Sequence, residues 1–138
     1  MIETMTQLLR EKSVCVLATV AAGRPHCSLM AYAVNDAATD MYLATLRTTR
    51  KYRNIEANPA VSLLVDTREA PQPSALTIEG ACRPLAAGPE RDQARVRLLG
   101  RHPDLAALLD DPGGEILKVR ITSFLLLKGL TEAHRVTL

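Results

Sequence analysis

The sequence predicts a mainly β fold with some α: a barrel of six to seven antiparallel strands plus short helices. Three observations carry this. Apolar or alternating runs of strand length recur along the chain, bounded by Gly, Pro, Asn and Asp. Helical spacing is confined to a few stretches that do not alternate with the strands, which argues against a parallel α/β sheet. The length of 138 residues, 47% hydrophobic and 23% charged, suits a single domain over residues 1–138 with a sizeable core.

Residues 2–12 place Ile2, Met5, Leu8 and Leu9 at helical spacing and predict an amphipathic helix. Val14 to Val20 is a continuous apolar run rich in β-branched residues, the pattern of a strand buried on both faces. Ala21 to Pro25 turns around Gly23, and the polar link Asn35 to Asp40 joins strands His26 to Val34 and Met41 to Leu46. A short helix follows. It should stop near Ala57, because Pro59 disfavours helical backbone in Asn58. Val61 to Val65 reads as another buried strand, and Asp66 to Ser74, with Pro71 and Pro73, as a loop.

Ala75 to Leu85 sets Leu76 and Ile78 against Thr77 and Glu79, the alternation of a half-buried strand. Pro89 to Arg101 has helical spacing in Ala94, Leu98 and Leu99, and Pro103 suits the start of a helix over Asp104 to Asp110. Pro112-Gly113-Gly114 is a break. Glu115 to Lys128 alternates and then turns fully apolar from Phe124 to Leu127, so its outer face there should meet a helix or another subunit. A last strand is expected over Glu132 to Leu138.

Composition narrows the function. With 17 basic and 15 acidic residues the net charge is only +2, which argues against a nucleic-acid protein. One Phe, three Tyr and no Trp argue against base stacking on single strands. Cys15, Cys27 and Cys82 lack metal or redox spacing and read as buried thiols in a reducing compartment. Glu3, Arg10, Glu11 and Lys12 interrupt any signal-peptide pattern, and no apolar run approaches the ~20 residues of a membrane span, so a cytoplasmic protein is expected. His26, His102 and His134 are scattered, with His102 read as a surface residue and no metal site expected. No nucleophile triad, carboxylate pair or Gly-rich phosphate loop is present.

The informative segment is the short helix. Thr48 or Thr49 suits its N-cap, yet Arg50 and Lys51 occupy the first turn, where the helix dipole favours carboxylates. Two cations there should cost about 0.3–1 kcal/mol each. A phosphate at the helix start would reverse that sign, because free N–H groups, hydroxyls and both cations would point at it. The alternative is a solvated basic turn without a ligand.

The segment from Thr45 through Lys51, then Arg53-Asn54-Ile55 and Ala57-Asn58-Pro59 leading into Ala60 to Val65, resembles the pyridoxamine 5′-phosphate oxidase-like family of FMN-binding split barrels. The resemblance extends to Val16 to Val20, Gly23 to His26, Ser28 to Met30 and Leu76 to Gly80, in collinear order over residues 10–85. It implies a split β-barrel and a homodimer with FMN at the subunit interface. Carried over by position, Thr49, Arg50 and Lys51 hold the phosphate. Ala44 and Thr45 add backbone and hydroxyl contacts. His26, Cys27, Ser28, Leu29 and Met30 lie along the isoalloxazine, mainly through backbone groups. Ser74 and Ala75 fall where the second subunit reaches the flavin, although Ala75 stands where the family has an amide side chain. Arg135 lies where the partner's C-terminal part approaches. No catalytic residue is assigned.

True pyridoxamine phosphate oxidases end in an Arg/His/Trp-rich segment that this chain lacks, so that reaction is not expected. The resemblance implies an oxidoreductase passing hydride or electrons between FMN and a small-molecule acceptor. The alternatives are a non-catalytic flavin-binding or electron-carrier protein, or a member that uses deazaflavin F420 or haem.

Overall fold

The computed structural model describes residues 1–138. The order is α1 (Ile2–Glu11), β1 (Val14–Ala21), β2 (Arg24–Ala31), β3 (Ala33–Val34), β4 (Asp40–Leu46), α2 (Arg50–Ala57), β5 (Ala60–Asp66), β6 (Ser74–Pro84), α3 (Pro89–Arg101), α4 (Ala106–Asp110), β7 (Gly114–Lys128) and β8 (Glu132–Thr137). The strands form one antiparallel sheet in the order β2-β1-β5-β6-β7-β4-β3, with β8 also on β7. It is a split barrel, as expected, with eight strands because the run His26 to Val34 breaks in two. The break is at Tyr32, which is fully buried, donates its hydroxyl to Leu9 O at 2.7 Å and its N–H to Ser13 O. Beyond it the chain leaves β1 and pairs with β4.

β7 organises the sheet. β6 pairs with it from Leu117 to Lys128; on its other edge β4 takes Gly114 to Arg120 and β8 takes Ser123 to Lys128. The β6–β7 register shifts between Glu79 and Gly80, leaving Thr122 unpaired in the ladder with its hydroxyl donating to Glu79 O. Such a bulge bends and twists the strand pair. Gly80 is required there, since a Cβ would run into Arg120 O and Val119 Cγ1.

The inner face carries the main core, including Leu17, Leu63, Ile78, Leu117, Val119 and Phe124, with Met5 and Leu9 of α1 packed into it. Each such side chain contributes roughly 1.5–3 kcal/mol on burial. On the other face of β4 and β7, Tyr42, Ala44 and Ile116 pack beneath Ala94 and Leu98 of α3 and Leu109 of α4.

Three sequence expectations are corrected. Val14 to Val20 is not buried on both faces: Cys15, Leu17 and Thr19 point into the core, while Val16, Ala18 and Val20 lie on the outer face and stay partly exposed. The run Phe124 to Leu127 does not face outward as a whole. Strand alternation sends Phe124 and Leu126 into the core, fully buried, and leaves Leu125 and Leu127 outside. Cys27 is exposed, because its neighbours alternate the same way on the edge strand β2; only Cys15 and Cys82 are buried.

Burial pushes the Cys15 and Cys82 thiols up to about 12, from an ordinary value of 9.0, and also raises the Tyr32 phenol. The native state therefore favours their protonated forms. That stability is complete below pH 9 and is lost as pH climbs from about 9 toward 12, by up to about 1.4 kcal/mol per pH unit for each thiol. Urea midpoints should fall between pH 9 and 11, and less so in a Cys15→Val, Cys82→Val variant; identical slopes in the two proteins would assign the loss to other groups. Independently, Gly80→Ala should cost about 1–3 kcal/mol in the same assay, and an unchanged midpoint would contradict the close β6–β7 approach.

Candidate functional site: an anion-binding corner at the start of α2

The corner begins where β4 ends. Thr49 is the N-cap of α2 in extended conformation, and its hydroxyl oxygen accepts from Tyr52 N at 3.4 Å. The same hydroxyl lies 2.9 Å from Leu46 O and 2.9 Å from the buried Thr45 hydroxyl. Arg47 N donates to Gly113 O, which ties the turn to the entry of β7. From the helix side, Asn54 Nδ2 donates to Thr19 Oγ1 at 3.0 Å, locking α2 onto β1.

The four cations of this segment separate into two pairs. Arg47 bonds Glu115 at 2.5 Å and Pro112 O at 2.7 Å, and Arg91 bonds the other oxygen of Glu115 at 3.2 Å. Arg53 donates to Thr48 O at 2.7 Å. Arg50 and Lys51 have no hydrogen bond or ion pair in the chain, their backbone N–H groups have no acceptor, and the first turn of α2 holds no acid. Two free cations, two free N–H groups and the Thr49 hydroxyl thus meet at one helix start.

The other predicted residues divide by strand parity. Thr45 shares the inner side of β4 with Met41 and Leu43, whereas Ala44 packs its methyl into the cluster beneath α3 and α4, leaving only its backbone for the corner. On β2, His26 and Ser28 stand opposite Thr19 and Leu17 on the inner side, with His26 Nε2 3.4 Å from Ser28 Oγ; Met30 is buried in the core. Cys27 and Leu29 point out, Leu29 at 75% exposure.

Ser74 and Arg135 lie away from the corner. Pro59, just past α2, accepts from Cys82 N near the end of β6, while Ser74 opens β6 opposite Lys128. Arg135 stands opposite Leu125 on the outer face. That face continues as a row across the sheet, Leu29, Val16, Leu64, Thr77, Leu125 and Arg135, and includes a depression of about 350 Å³ with Val16, Leu29 and Leu64 on one side and Lys12, Asp66 and Arg68 on its rim.

Sequence reasoning missed Glu115, Arg91 and the Asn54–Thr19 bond. Glu115 reads as one more polar residue at a strand start, and its partner Arg47 is 68 residues away, so no local pattern marks it. The half-buried His102, expected at the surface, instead bonds Tyr32 O through Nε2 at 3.0 Å.

The pyridoxamine 5′-phosphate oxidase family model matches residues 1–128, and the chain belongs to that family. No curated protein matches its sequence. Among solved structures it is similar to a haem-binding protein from Mycobacterium smegmatis, with TM-score 0.88 and 18% identity over 98% of this chain and 57% of the other. A FAD-binding protein from Mesorhizobium loti matches with TM-score 0.79 and 17% identity over 94% and 95% of the two chains. HutZ, the haem storage protein of Vibrio cholerae, matches with TM-score 0.76 and 23% identity over 95% and 96%. The chain thus spans little more than half the length of the mycobacterial protein. No helix is long and apolar enough to cross a membrane.

Glu115 is the keystone of the turn. Its carboxylate is 11% exposed and neutralises parts of two guanidinium groups, so Glu115→Ala leaves both without it. A loss of roughly 1–3 kcal/mol is expected, reduced from the fully buried case because Arg47 is half exposed. Glu115→Gln should lose less. Chemical denaturation measures both, and no loss in either variant would show that the turn stands without this carboxylate.

Proposed function

We propose that the chain is an FMN-binding flavoprotein that acts as a homodimer and passes hydride or electrons to a small-molecule acceptor. One observation carries the reading: Arg50 and Lys51 stand unpaired beside free N–H groups at the start of α2. A phosphate there converts two destabilising helix-dipole contacts into charge-assisted hydrogen bonds. FMN, when bound, supplies the redox chemistry. The free N–H groups of the first turn donate to the phosphate, Arg50 and Lys51 neutralise it, the Thr49 and Thr45 hydroxyls hold the turn through Leu46 O and each other, and His26 and Ser28 lie on the β2 side. Belonging to the pyridoxamine 5′-phosphate oxidase family supports a flavin, as does the likeness to a FAD-binding protein.

The dimer reading rests on the outer face. Leu29, Val16, Leu64, Leu125 and Leu127 line a sheet surface that no helix of this chain covers, and a partner would bury it. Ser74 and Arg135 fit this arrangement, because they reach a corner only if it is the partner's. A second reading is haem in the same dimer, favoured by the likeness to two haem proteins. The absorption spectrum of the purified protein separates the two.

Saturating FMN should raise the melting temperature, since only the native state binds it. Arg50→Ala and Lys51→Ala should each weaken FMN by tenfold or more, about 1.5–3 kcal/mol, and leave riboflavin nearly unaffected. Equal losses for both ligands in calorimetry would remove the phosphate from this corner.

Flavin affinity should also fall on dilution through the dimer dissociation range; a monomer by sedimentation that holds FMN tightly would refute the shared pocket. Pyridoxamine phosphate should not be oxidised usefully. Its phosphate would have to be held against the flavin, beside the α2 corner, and the other cations there, Arg47 and Arg53, are engaged with Glu115 and the Thr48 carbonyl. Peroxide release with pyridoxal phosphate formation near 1 per second or faster would overturn that expectation.

A further inference from the structure

We propose that the groove between α1, α3 and the β3–β4 turn is a second anion site, taking a small metabolite that carries a phosphate or carboxylate group. The groove is open to solvent, with a volume of about 340 Å³ over a floor of Ala33 and Val34, within the size range of small-molecule sites. Arg97 and Arg101 are one turn apart on α3, and Arg10 faces them from the last turn of α1.

Backbone contacts fix the three guanidinium groups in place. Arg10 donates to Asp36 O at 3.0 Å, Arg101 to Arg10 O at 2.7 Å, and Arg97 to Val34 O at 3.4 Å, with a further bond to the Asp36 carboxylate at 3.1 Å. Each guanidinium has five N–H donors in a planar fork, so most remain for a ligand. That fork matches the oxygens of phosphate and carboxylate, whereas a cationic ligand is repelled. Asp36 is the one carboxylate in the lining. Its side chain pairs with Arg97 at 3.1 Å, but it is 93% exposed, so water screens the pair and an incoming anion can compete for the guanidinium.

Gly100 is the independent observation. It sits in the last turn of α3 and lines the groove, with ordinary helical backbone. A Cβ there would meet nothing within 4 Å, so neither a close neighbour nor a positive φ calls for glycine. Glycine weakens a helix relative to alanine. What its hydrogen does provide is open space beside the arginines, where a ligand can approach the backbone. The site shares no residue with the α2 corner and does not depend on the flavin reading.

The test uses the full chain, ¹⁵N-labelled, titrated separately with inorganic phosphate and with citrate at constant ionic strength. The Gly100 and Asp36 amide signals should move saturably, with half-points at or below about 1 mM. Saturation by phosphate alone assigns a phosphate ester, by citrate alone a carboxylate, and by both an oxyanion of either kind; each supports the site. Arg97→Ala should raise the half-point at least about tenfold, a loss of about 1.4 kcal/mol. Gly100→Leu should do the same while keeping every charge, and as the better helix former leucine keeps the protein folded. Lys51→Ala should leave these shifts in place. Unsaturated, linear shifts up to about 20 mM with both anions, or unchanged half-points in Gly100→Leu, overturn the proposal.

Discussion

Everything in this molecule depends on β7 being paired along both edges. A buried strand cannot leave its N–H and C=O groups unmatched, because each orphan costs about as much as a lost hydrogen bond. β6 satisfies one edge nearly throughout, and β4 and β8 divide the other. The bulge at Thr122 lies near the changeover, where Ile121 N turns to Thr39 O and Leu138 N to Thr122 O. This arrangement curls the sheet into a split barrel and carries the last residue of β4, and hence the turn into α2, to the entry of β7.

The α2 corner follows from that placement. Because β4 and β7 are in register, Thr45 lies opposite Glu115, and the carboxylate reaches Arg47 in the turn beyond. Glu115 thereby draws one cation, and Arg91 with it, into a structural pair. The Thr48 carbonyl occupies a second cation, Arg53. The unpaired positive charge of the corner is thus a remainder: it is what Arg50 and Lys51 offer once the protein has used their neighbours. Their electrostatic misplacement in the first turn is tolerable where water screens it, and the phosphate proposed above would make it favourable.

Much of the fold was legible in the sequence. Strand and helix positions follow from local periodicity and turn residues, so α1, β5, α3 and β7 lie within a residue or two of expectation. The exception, the break at Tyr32, comes from a hydroxyl bonding a helix carbonyl 23 residues earlier, which no window of local pattern contains. The candidate site was legible in its chemistry and less so in its geometry. Arg50 and Lys51 stood out because their charges contradict the helix dipole, and Thr49 because a hydroxyl suits the N-cap, both purely local arguments.

Facing is where sequence and structure part. An apolar run such as Phe124 to Leu127 states that burial is available, and only pairing decides which side chains take the core and which the outer face. The same holds for Ala44 and Thr45, adjacent in the chain and on opposite faces of β4. By itself the sequence determined the elements, their order and the presence of an uncompensated positive helix start, because these depend on neighbours within a few residues. The tertiary structure alone decided which cations remain free and which predicted residues share a corner, because those outcomes depend on partners tens of residues away, Glu115 for Arg47 and Thr19 for Asn54.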